Sequence, residues 1–422
     1  MNTTRVNFAH LLTEPNPKHL ASLMRFFESG KLQPNEYGYG VEIEHLPVHN
    51  SDDSAVTYWE SNGIETLLKR LAPFYNADEE YWENGHLVGL NRDKVNVSLE
   101  PGGQVECSIG IFHTPDDFNA TYESFRAQVD RIANELGFRL INYGYQPVTK
   151  FNDIPLNPKY RYESMNKYLG RIGSYGPMMM RCSASTQVSI DYTDERDSIQ
   201  KMRVGTAIGP IIAWFLRNAP YFEGDDNPYP LLRQRMWDFM DPQRTGIMPG
   251  LFSPNFSWET YAIDVLSTPL LFADLTHTPE KRDSVPDGHV IAWHENAAEI
   301  YPDRDLNQYE INHILSMHFN DVRMKNFLEF RHWDSLPEDR ARRLVDIMFS
   351  LYYNTENLGR LTSYFDGLTQ LDVEATKSGI QANGAEATPY GQPMEFWQEF
   401  LGLEGLLTDI PGDPKHPDVF QA

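Results

Sequence analysis

Four segments of the chain alternate strictly between polar and apolar residues, and this alternation limits the possible folds more than any other feature. The segments are Val41-Glu42-Ile43-Glu44, Asn96-Val97-Ser98-Leu99-Glu100, Gln104-Val105-Glu106-Cys107-Ser108 and Gln187-Val188-Ser189-Ile190-Asp191. Successive side chains of a β-strand point to opposite faces, so each segment predicts a strand with one apolar and one polar face. Such strands, joined by helices, predict an α+β fold built on a mainly antiparallel sheet.

The spacing of apolar residues elsewhere predicts helices and a single domain. Helices are predicted over residues 19–29, 57–75, 114–136, 194–217, 308–318, 321–331 and 336–353, and further strands over 86–90 and 138–145. Gly137 is expected to end the third helix, and Pro210 can kink the fourth. No repeat or linker divides the chain, so we predict one domain over residues 1–422. Residues 336–422 form its predicted helical and irregular C-terminal extension, packed on the rest.

Composition excludes several classes of function. The 422 residues include 36 Lys and Arg against 60 Asp and Glu, a formal net charge of −24. A surface this negative is repelled by phosphate backbones and anionic lipids, so neither nucleic acid nor a membrane is an expected partner. The N-terminal residues lack the apolar core of a signal peptide, and two cysteines cannot form a disulfide framework. We therefore expect a cytoplasmic protein.

The polar faces of the alternating segments carry glutamates with no interleaved lysine or arginine. Glu42 and Glu44 share one strand face, and Glu100 and Glu106 join them if the strands are neighbours. Like charges this close raise one another's pKa unless cations neutralise them, and carboxylate oxygens suit hard divalent ions such as Mg²⁺. Because Mg²⁺ also accepts phosphate oxygens, the pattern indicates nucleotide chemistry. An ordinary solvated sheet face is the alternative interpretation.

Cationic side chains cluster in the second half of the chain. The clusters are Arg233-Gln234-Arg235, Arg244-Thr245-Gly246, Arg323-Met324-Lys325 and Glu329-Phe330-Arg331. Guanidinium groups hold phosphate and carboxylate bidentately, although scattered surface charges are the simpler interpretation. Glu329 and Arg331 would share a face only in a strand or extended loop, so we end the predicted helix near Phe327. Cys107 and Cys182 are interpreted as packed thiols, and His313 and His318 as residues that bind no metal.

The segment Ser98-Leu99-Glu100-Pro101-Gly102-Gly103-Gln104, followed by Glu106, almost completes the SLEPGGQ signature of a known enzyme family. Further motifs follow in the family's order: Gly40 to Glu44 as G-x-E-x-E, Pro158 to Tyr162, Arg233 to Trp237, Arg244 to Gly246, and Leu328 to Arg331. Through these motifs, which span residues 38–331, the sequence resembles the plant-type glutamate–cysteine ligase family, which also covers many bacterial γ-glutamylcysteine synthetases.

The resemblance implies a fold similar to the catalytic domain of glutamine synthetase, a curved, mainly antiparallel sheet that forms a funnel flanked by helices. It implies a ligase that joins the γ-carboxylate of L-glutamate to the amine of L-cysteine through a γ-glutamyl phosphate. The products would be γ-glutamylcysteine, ADP and phosphate, in the first step of thiol or glutathione biosynthesis. ATP would be a cosubstrate, and two or three Mg²⁺ ions with several arginines would offset the repulsion between triphosphate and carboxylate.

Motif positions also imply roles for individual residues. The implied metal ligands are Glu42, Glu44, Glu100, Glu106 and Glu329. Arg233 and Arg331 are the implied catalytic residues, which would hold phosphate or the substrate carboxylate. Arg235, Arg244 and Gln187 are implied in ATP binding, and Arg161 and Tyr162 in the amino-acid pocket.

Two alternatives stay open. The same activation of glutamate could serve a different amine, because acceptor pockets diversify on one fold and Ile43 and Ser189 depart from the family's usual residues. A non-catalytic relative that binds nucleotide or glutamate would belong to another class, against which the presence of all five glutamates argues. The sequence indicates no oligomeric state.

Overall fold

The four alternating segments form neighbouring strands of one antiparallel sheet in the computed structural model, which describes residues 15–281 and 288–406. The strands are β1 (Tyr39–His49), β2 (Glu80–Glu83), β3 (His86–Arg92), β4 (Val95–Leu99), β5 (Val105–Phe112), β6 (Phe138–Ile141), β7 (Ser185–Ile190), β8 (Tyr221–Phe222), β9 (Asp225–Asp226), β10 (Thr245–Gly246), β11 (Phe272–Asp274), β12 (His289–Ile291), β13 (Phe319–Asn320), β14 (Val322–Met324) and β15 (Leu328–Asp334). The α-helices are α1 (Pro17–Glu28), α2 (Ile64–Leu71), α3 (Asp117–Leu136), α4 (Tyr160–Ile172), α5 (Gly176–Cys182), α6 (Glu195–Leu216), α7 (Leu232–Asp238), α8 (Trp258–Ser267), α9 (Ala297–Ile300), α10 (Gln308–Leu315), α11 (Glu338–Tyr352), α12 (Thr355–Tyr364), α13 (Gln370–Asn383) and α14 (Met394–Phe400).

Within residues 15–281 and 288–406, the main sheet has nine strands, and every pairing among them is antiparallel. Its order is β14-β15-β7-β1-β5-β4-β3-β2, with β6 paired to the second half of β1. The central strand β1 therefore lies between β5 and β7 over its first half. This architecture confirms the predicted α+β class and the mainly antiparallel sheet.

One face of the sheet is apolar and packs against helices. Tyr122 of α3 stacks on His45 of β1, and Tyr352 of α11 packs on Phe330 of β15. Helix α6 crosses β15 so closely that a Cβ on Gly205 would lie 2.2 Å from the Phe330 ring. These helices cover the core on one side and leave the opposite, polar face of the sheet for the candidate site.

Two predicted helices are wrong in part or in full. The helix predicted from residue 321 to near Phe327 is absent, and β14 and β15 form an antiparallel pair there, with Glu329 and Arg331 in a strand. The helix predicted over residues 57–75 is confined to α2, because Gly63 has extended backbone angles directly before Ile64. Trp59, predicted on the apolar stripe of that helix, lies outside it and is 51% exposed.

The other predicted helices are present, with ends that differ by a few residues. Gly137 ends α3 in the left-handed conformation, at a φ of +95°, as predicted. Helix α6 continues through Pro210 without interruption. The strand predicted over residues 138–145 stops at Ile141.

The C-terminal helices pack on the sheet-bearing part of the chain. Helices α12 and α13 contact α6, and Trp397 of α14 is fully buried against the rings of Phe365 and Tyr390. The predictions for residues 1–14 and 407–422 lie outside the described residues. Among the helices of the described ranges, none combines the length and apolarity needed to cross a membrane.

Candidate active site

Cross-strand pairing brings the predicted carboxylates of β1 and β5 onto one face of the sheet. Glu42 lies opposite Ser108 of β5 and Gln187 of β7. Glu44 lies opposite Glu106 of β5. Directly opposed residues in antiparallel strands point to the same face, so these polar side chains form one continuous surface.

Glu100 joins this surface from the tight turn that follows β4. The Glu100 N–H donates to the carbonyl of Gln104 at 2.9 Å, and the Gly103 N–H donates to the carbonyl of Glu100 at 2.8 Å. Gly103 has a φ of +93°, which favours glycine, and a Cβ on Gly102 would lie 2.2 Å from the Arg181 carbonyl oxygen. The Pro-Gly-Gly motif thus fixes Glu100 at the end of the strand.

A pocket of about 260 Å³ opens over the polar face. A single water molecule needs only about 10–15 Å³ by the same kind of measure, so the pocket has room for ligands. Helices α4 and α7 and the β14–β15 pair form its other walls. The predicted residues that line it are Glu42, Glu44, Glu100, Glu106, Arg161, Tyr162, Gln187, Arg233 and Arg331.

The acidic side of the pocket carries uncompensated negative charge. Burial raises the pKa of Glu44 to about 7, and the neighbouring Glu100 acts in the same direction. Burial also raises the pKa of Glu106 well above its usual value, with Glu42, Glu100 and Glu44 adding to the shift. The pKa of Glu42 is raised as well, first by burial and then by Glu329. A cation bound among these carboxylates would favour their ionised forms and so oppose all three shifts.

Hydrogen bonds fix the orientation of Glu44 and Glu106. Glu44 accepts from the Ser185 backbone N–H at 2.8 Å and from the Ser185 hydroxyl at 2.7 Å. Glu106 accepts from the hydroxyls of Ser98 and Ser108 at 2.8 and 3.1 Å. Serines of β4, β5 and β7 therefore hold these two carboxylates in place.

Glu329 is fully buried and pairs with three cationic side chains of the pocket. Its carboxylate lies 2.5 Å from Arg323 and 2.9 Å from both Lys325 and Arg331. Burial alone would raise its pKa, but these three cations outweigh burial and hold the pKa below its usual value. Of the five predicted metal ligands, Glu329 is thus the one whose charge the protein already neutralises.

The two predicted catalytic arginines lie together at the cationic side of the pocket. Arg331 donates to Gln187 Oε1 at 2.5 Å and to Glu329 Oε2 at 2.9 Å. Arg233 donates through Nε to the carbonyl of Arg331 at 3.0 Å. Burial lowers the pKa of Arg233 to about 10, which still leaves it charged at neutral pH. Both guanidinium groups are therefore fixed next to the acidic side.

Arg161 and Tyr162 enter the pocket from the first turn of α4. The Tyr162 hydroxyl donates to the carbonyl of Leu99 at 2.7 Å and lies 3.2 Å from Glu100 Oε1. The Arg161 guanidinium lies 5.8 Å from the centre of the Tyr162 ring. Both residues therefore line the pocket, and Tyr162 lies directly beside Glu100.

Two residues that motif position assigned to ATP binding lie outside the pocket. Arg235 is two residues from Arg233 on α7 and so points to another side of the helix, where its Nε donates to the Tyr175 hydroxyl at 3.0 Å. Arg244 is buried and forms an ion pair of 2.6 Å with Asp241, three residues earlier. Local partners therefore occupy both guanidinium groups.

Sequence reasoning did not assign site roles to several residues that line the pocket. Arg323 and Lys325 extend its cationic side, and Trp237 lies beside Arg233 and Arg331. The alternation in Arg323-Met324-Lys325 was an available signal, because residues two apart share a face in a strand. Because the segment was predicted to be a helix, in which residues two apart lie on different faces, this alternation was not used.

The cysteines and the two singled-out histidines take no part in the pocket. Cys107 and Cys182 are fully buried, and burial raises the pKa of both thiols, so neither is a ready nucleophile. His313 and His318 are enclosed as well, and burial lowers their pKa to about 4 and about 3. These neutral rings fit the interpretation as packed residues.

The pocket offers the donor set that a hard divalent cation requires. Within residues 15–281 and 288–406, no three acidic, histidine or cysteine side chains converge as the complete ligand set of one metal would. Mg²⁺, however, commonly takes one or two carboxylates and completes its shell with water and substrate phosphate. The carboxylate surface, with its raised pKa values, fits such open sites, whereas it does not fit an all-protein cage.

Comparisons with known proteins agree with these features. Residues 39–366 match the sequence profile of glutamate-cysteine ligase family 2. The chain is 31% identical to the chloroplastic glutamate–cysteine ligase B of Oryza sativa subsp. japonica over 396 residues, 93% of this chain and 77% of the relative. It is 32% identical to the chloroplastic glutamate–cysteine ligase of Solanum lycopersicum over 407 residues, 94% of this chain and 75% of the relative.

A crystal structure of a glutamate–cysteine ligase from Francisella tularensis in complex with AMP superposes with a TM-score of 0.46 at 10% identity. The superposition covers 88% of this chain and 79% of the Francisella tularensis chain. The sequence profile of the family covers most of the chain and so establishes membership of the family. This protein belongs to glutamate-cysteine ligase family 2.

Proposed function

We propose that this chain joins the γ-carboxylate of L-glutamate to the amine of L-cysteine at the expense of ATP, giving γ-glutamylcysteine, ADP and phosphate. Family membership and similarity to plant glutamate–cysteine ligases over more than nine-tenths of the chain support this reaction. The observation that carries the proposal is a single pocket with a carboxylate side and a cationic side. The cationic side chains are Arg161, Arg233, Arg323, Lys325 and Arg331.

The reaction must bring two anions into contact, and the pocket is suited to that task. A γ-carboxylate oxygen of glutamate attacks the γ-phosphorus of ATP, and the bond to the ADP oxygen breaks. The amine of the acceptor then attacks the acyl carbon, loses a proton, and expels phosphate. Arg233 and Arg331 would reduce the repulsion in the first step and hold the planar oxygen pairs of carboxylate or phosphate. Neither step needs a nucleophile from the protein.

Mg²⁺ belongs to the same proposal. Glu42, Glu44, Glu100 and Glu106 would hold it, because these carboxylates line the pocket, and burial and mutual repulsion raise the pKa values of Glu42, Glu44 and Glu106. When bound, Mg²⁺ supplies charge neutralisation for the phosphate groups of ATP. Glu329 could contribute only after its ion pairs with Lys325 and Arg323 rearrange.

The lining of the pocket also supports cysteine as the acceptor. Met165, Met179 and Met180 line the pocket beside Arg161 and Tyr162. Thioether side chains form an apolar, polarizable and adaptable surface, which suits an uncharged acceptor side chain such as that of cysteine better than a charged one. A different amine acceptor remains the second candidate, and it would use the same activation of glutamate.

The test is phosphate release from ATP in the presence of glutamate and Mg²⁺, with cysteine, serine, 2-aminobutyrate and alanine as acceptors and mass spectrometry of the products. Cysteine-dependent release with formation of γ-glutamylcysteine is the expected result. Release with another amine would replace the acceptor, and nucleotide binding without release for any amine would favour a non-catalytic relative. Glu100→Gln serves as the inactive variant, and Glu163→Gln, at an exposed position on α4, serves as its matched control.

We further propose that the chain acts as one ligase domain in the cytoplasm, as its composition suggests. The relatives named above are chloroplastic proteins, so the location requires its own measurement. Cell fractionation with an antibody against the chain would test it, and recovery in a membrane-enclosed fraction would contradict it.

A further inference from the structure

Trp237 contacts both arginines on which the proposed phosphoryl transfer depends. The Cζ atoms of Arg233 and Arg331 each lie 5.6 Å from the centre of its indole ring. Trp237 lines the pocket with them and is only 8% exposed. A cation within about 6 Å of an indole face is attracted to it, and the attraction strengthens where water is excluded.

The two guanidinium groups need such a partner because they carry like charges at close range. The Arg233 Nε donates to the backbone carbonyl of Arg331, and burial, followed by the positive charge of Arg331, lowers the pKa of Arg233. Glu329 and Gln187 hold Arg331 on one side. The indole face supplies negative potential to both arginines without adding a carboxylate that would compete with an anionic substrate.

The position of Trp237 is itself fixed by neighbouring elements. Trp237 follows Arg233 by four residues on α7, which places the two side chains on one helix face. Phe319 of β13 packs on the indole with ring centres 5.3 Å apart. β13 pairs with β10, and the Phe319 N–H donates to the carbonyl of Arg244 at 2.7 Å. The backbone of Arg244 thus helps to hold the ring that packs on Trp237.

We propose that Trp237 is a positioning residue that holds the guanidinium groups of Arg233 and Arg331 towards the anionic substrates through cation–π contacts. The inference rests on the proposed function, because it gives Trp237 a role in binding ATP and glutamate at that same site.

The test replaces Trp237 by site-specific incorporation of mono-, di- and tetrafluorotryptophan, which weaken the negative potential of the ring in steps while nearly preserving its shape. The readouts are the affinity for the non-hydrolysable analogue AMP-PNP with Mg²⁺ and the kcat/KM for glutamate. Both should fall progressively, by on the order of 10- to 100-fold at tetrafluorotryptophan, as expected for weakening two cation–π contacts. Trp237→Phe should retain more affinity than Trp237→Leu.

Trp293 offers a matched control, because its ring lies 5.1 Å from Arg171 and it does not line the pocket. Fluorination there should leave both readouts unchanged. Equal affinity for all fluorinated forms at Trp237, or equal losses at both positions, would overturn the proposal. A wild-type protein that binds AMP-PNP but forms no γ-glutamyl product would refute the proposed function, while the affinity series would still test the role of Trp237.

Discussion

Replacing Glu44 by glutamine should stabilise the metal-free protein and at the same time abolish its activity. Burial and the nearby Glu100 raise the pKa of Glu44 from 4.5 to about 7. Because each pKa unit corresponds to about 1.4 kcal/mol, this shift destabilises the folded, ionised protein by about 3 kcal/mol. The charge-assisted hydrogen bonds from Ser185 offset part of any gain, by roughly 1 kcal/mol. The net expectation is about 2 kcal/mol of added stability at pH 8.

The sign of the pH dependence follows from the raised pKa. The pKa of Glu44 is higher in the folded than in the unfolded protein. Its contribution to the free energy of unfolding is therefore fully present below pH 4.5, where the carboxyl is protonated in both states, and is lost as the pH rises through about 7. Without Mg²⁺, wild-type stability should therefore fall between pH 5 and pH 8 more steeply than that of Glu44→Gln. Glu42 and Glu106 have raised pKa values too, so the variant should keep part of the slope.

Differential scanning calorimetry from pH 5 to pH 8, with and without Mg²⁺, measures this effect. For a chain of 422 residues, about 2 kcal/mol corresponds to a rise in Tm of roughly 2 °C at pH 8. Turnover should drop by more than 100-fold, since losing even a residue that only supports a metal ligand costs about 10- to 100-fold. Glu163→Gln, on the exposed face of α4, is the control for a change of charge alone. A lower Tm for Glu44→Gln at pH 8, or a pH slope equal to that of the wild type, would refute the electrostatic reasoning.

Three further predictions concern the arginines and the cysteines. Arg244→Ala should lower the free energy of unfolding by about 3–5 kcal/mol, measured in denaturant, because it leaves Asp241 buried without its partner. Unchanged stability together with a raised KM for ATP would instead favour direct contact between Arg244 and the nucleotide. Arg331→Lys should lower kcat/KM by at least about 100-fold while the fold survives, because an ammonium cannot replace a bidentate guanidinium, and wild-type kinetics would exclude this role. The double variant of Cys107→Ser and Cys182→Ser should retain its chemistry, and a folded but inactive double variant would reopen the question of a nucleophile.

The acidic half of the site could be predicted from sequence because a strand has a simple period. Alternation places Glu42 and Glu44 on one face wherever the strand lies, and the pairing of Glu44 with Glu106 follows once β1 and β5 are neighbours. The conformation of the Pro-Gly-Gly turn, which determines the position of Glu100, likewise depends on local residues. The alternation within strands and the Pro-Gly-Gly turn, both visible in the sequence, were therefore sufficient to predict the acidic side of the pocket.

The cationic half depended on contacts that local patterns do not encode. The spacing of apolar residues around Arg323 predicts a helix from residue 321 to near Phe327. Pairing with β15 makes residues 322–324 of this segment a strand instead. The partners of Glu329 then become Arg323 and Lys325, which both contact its carboxylate, whereas a helix would place these two cations, two residues apart, on different faces. Arg244 does not line the pocket for a related reason. A motif shows which residue is present but not which neighbour its side chain contacts, and Arg244 forms an ion pair with Asp241.

In the proposed reaction, the pocket activates the γ-carboxylate of glutamate by phosphoryl transfer from ATP. Glutamate labelled with ¹⁸O in the γ-carboxylate, incubated with ATP, Mg²⁺ and the acceptor amine, tests it most directly. Transfer through an acyl phosphate moves one carboxylate oxygen into the released phosphate, so mass spectrometry should find one ¹⁸O in each phosphate formed. Phosphate that carries no label, released together with the γ-glutamyl product, would contradict this account of the site.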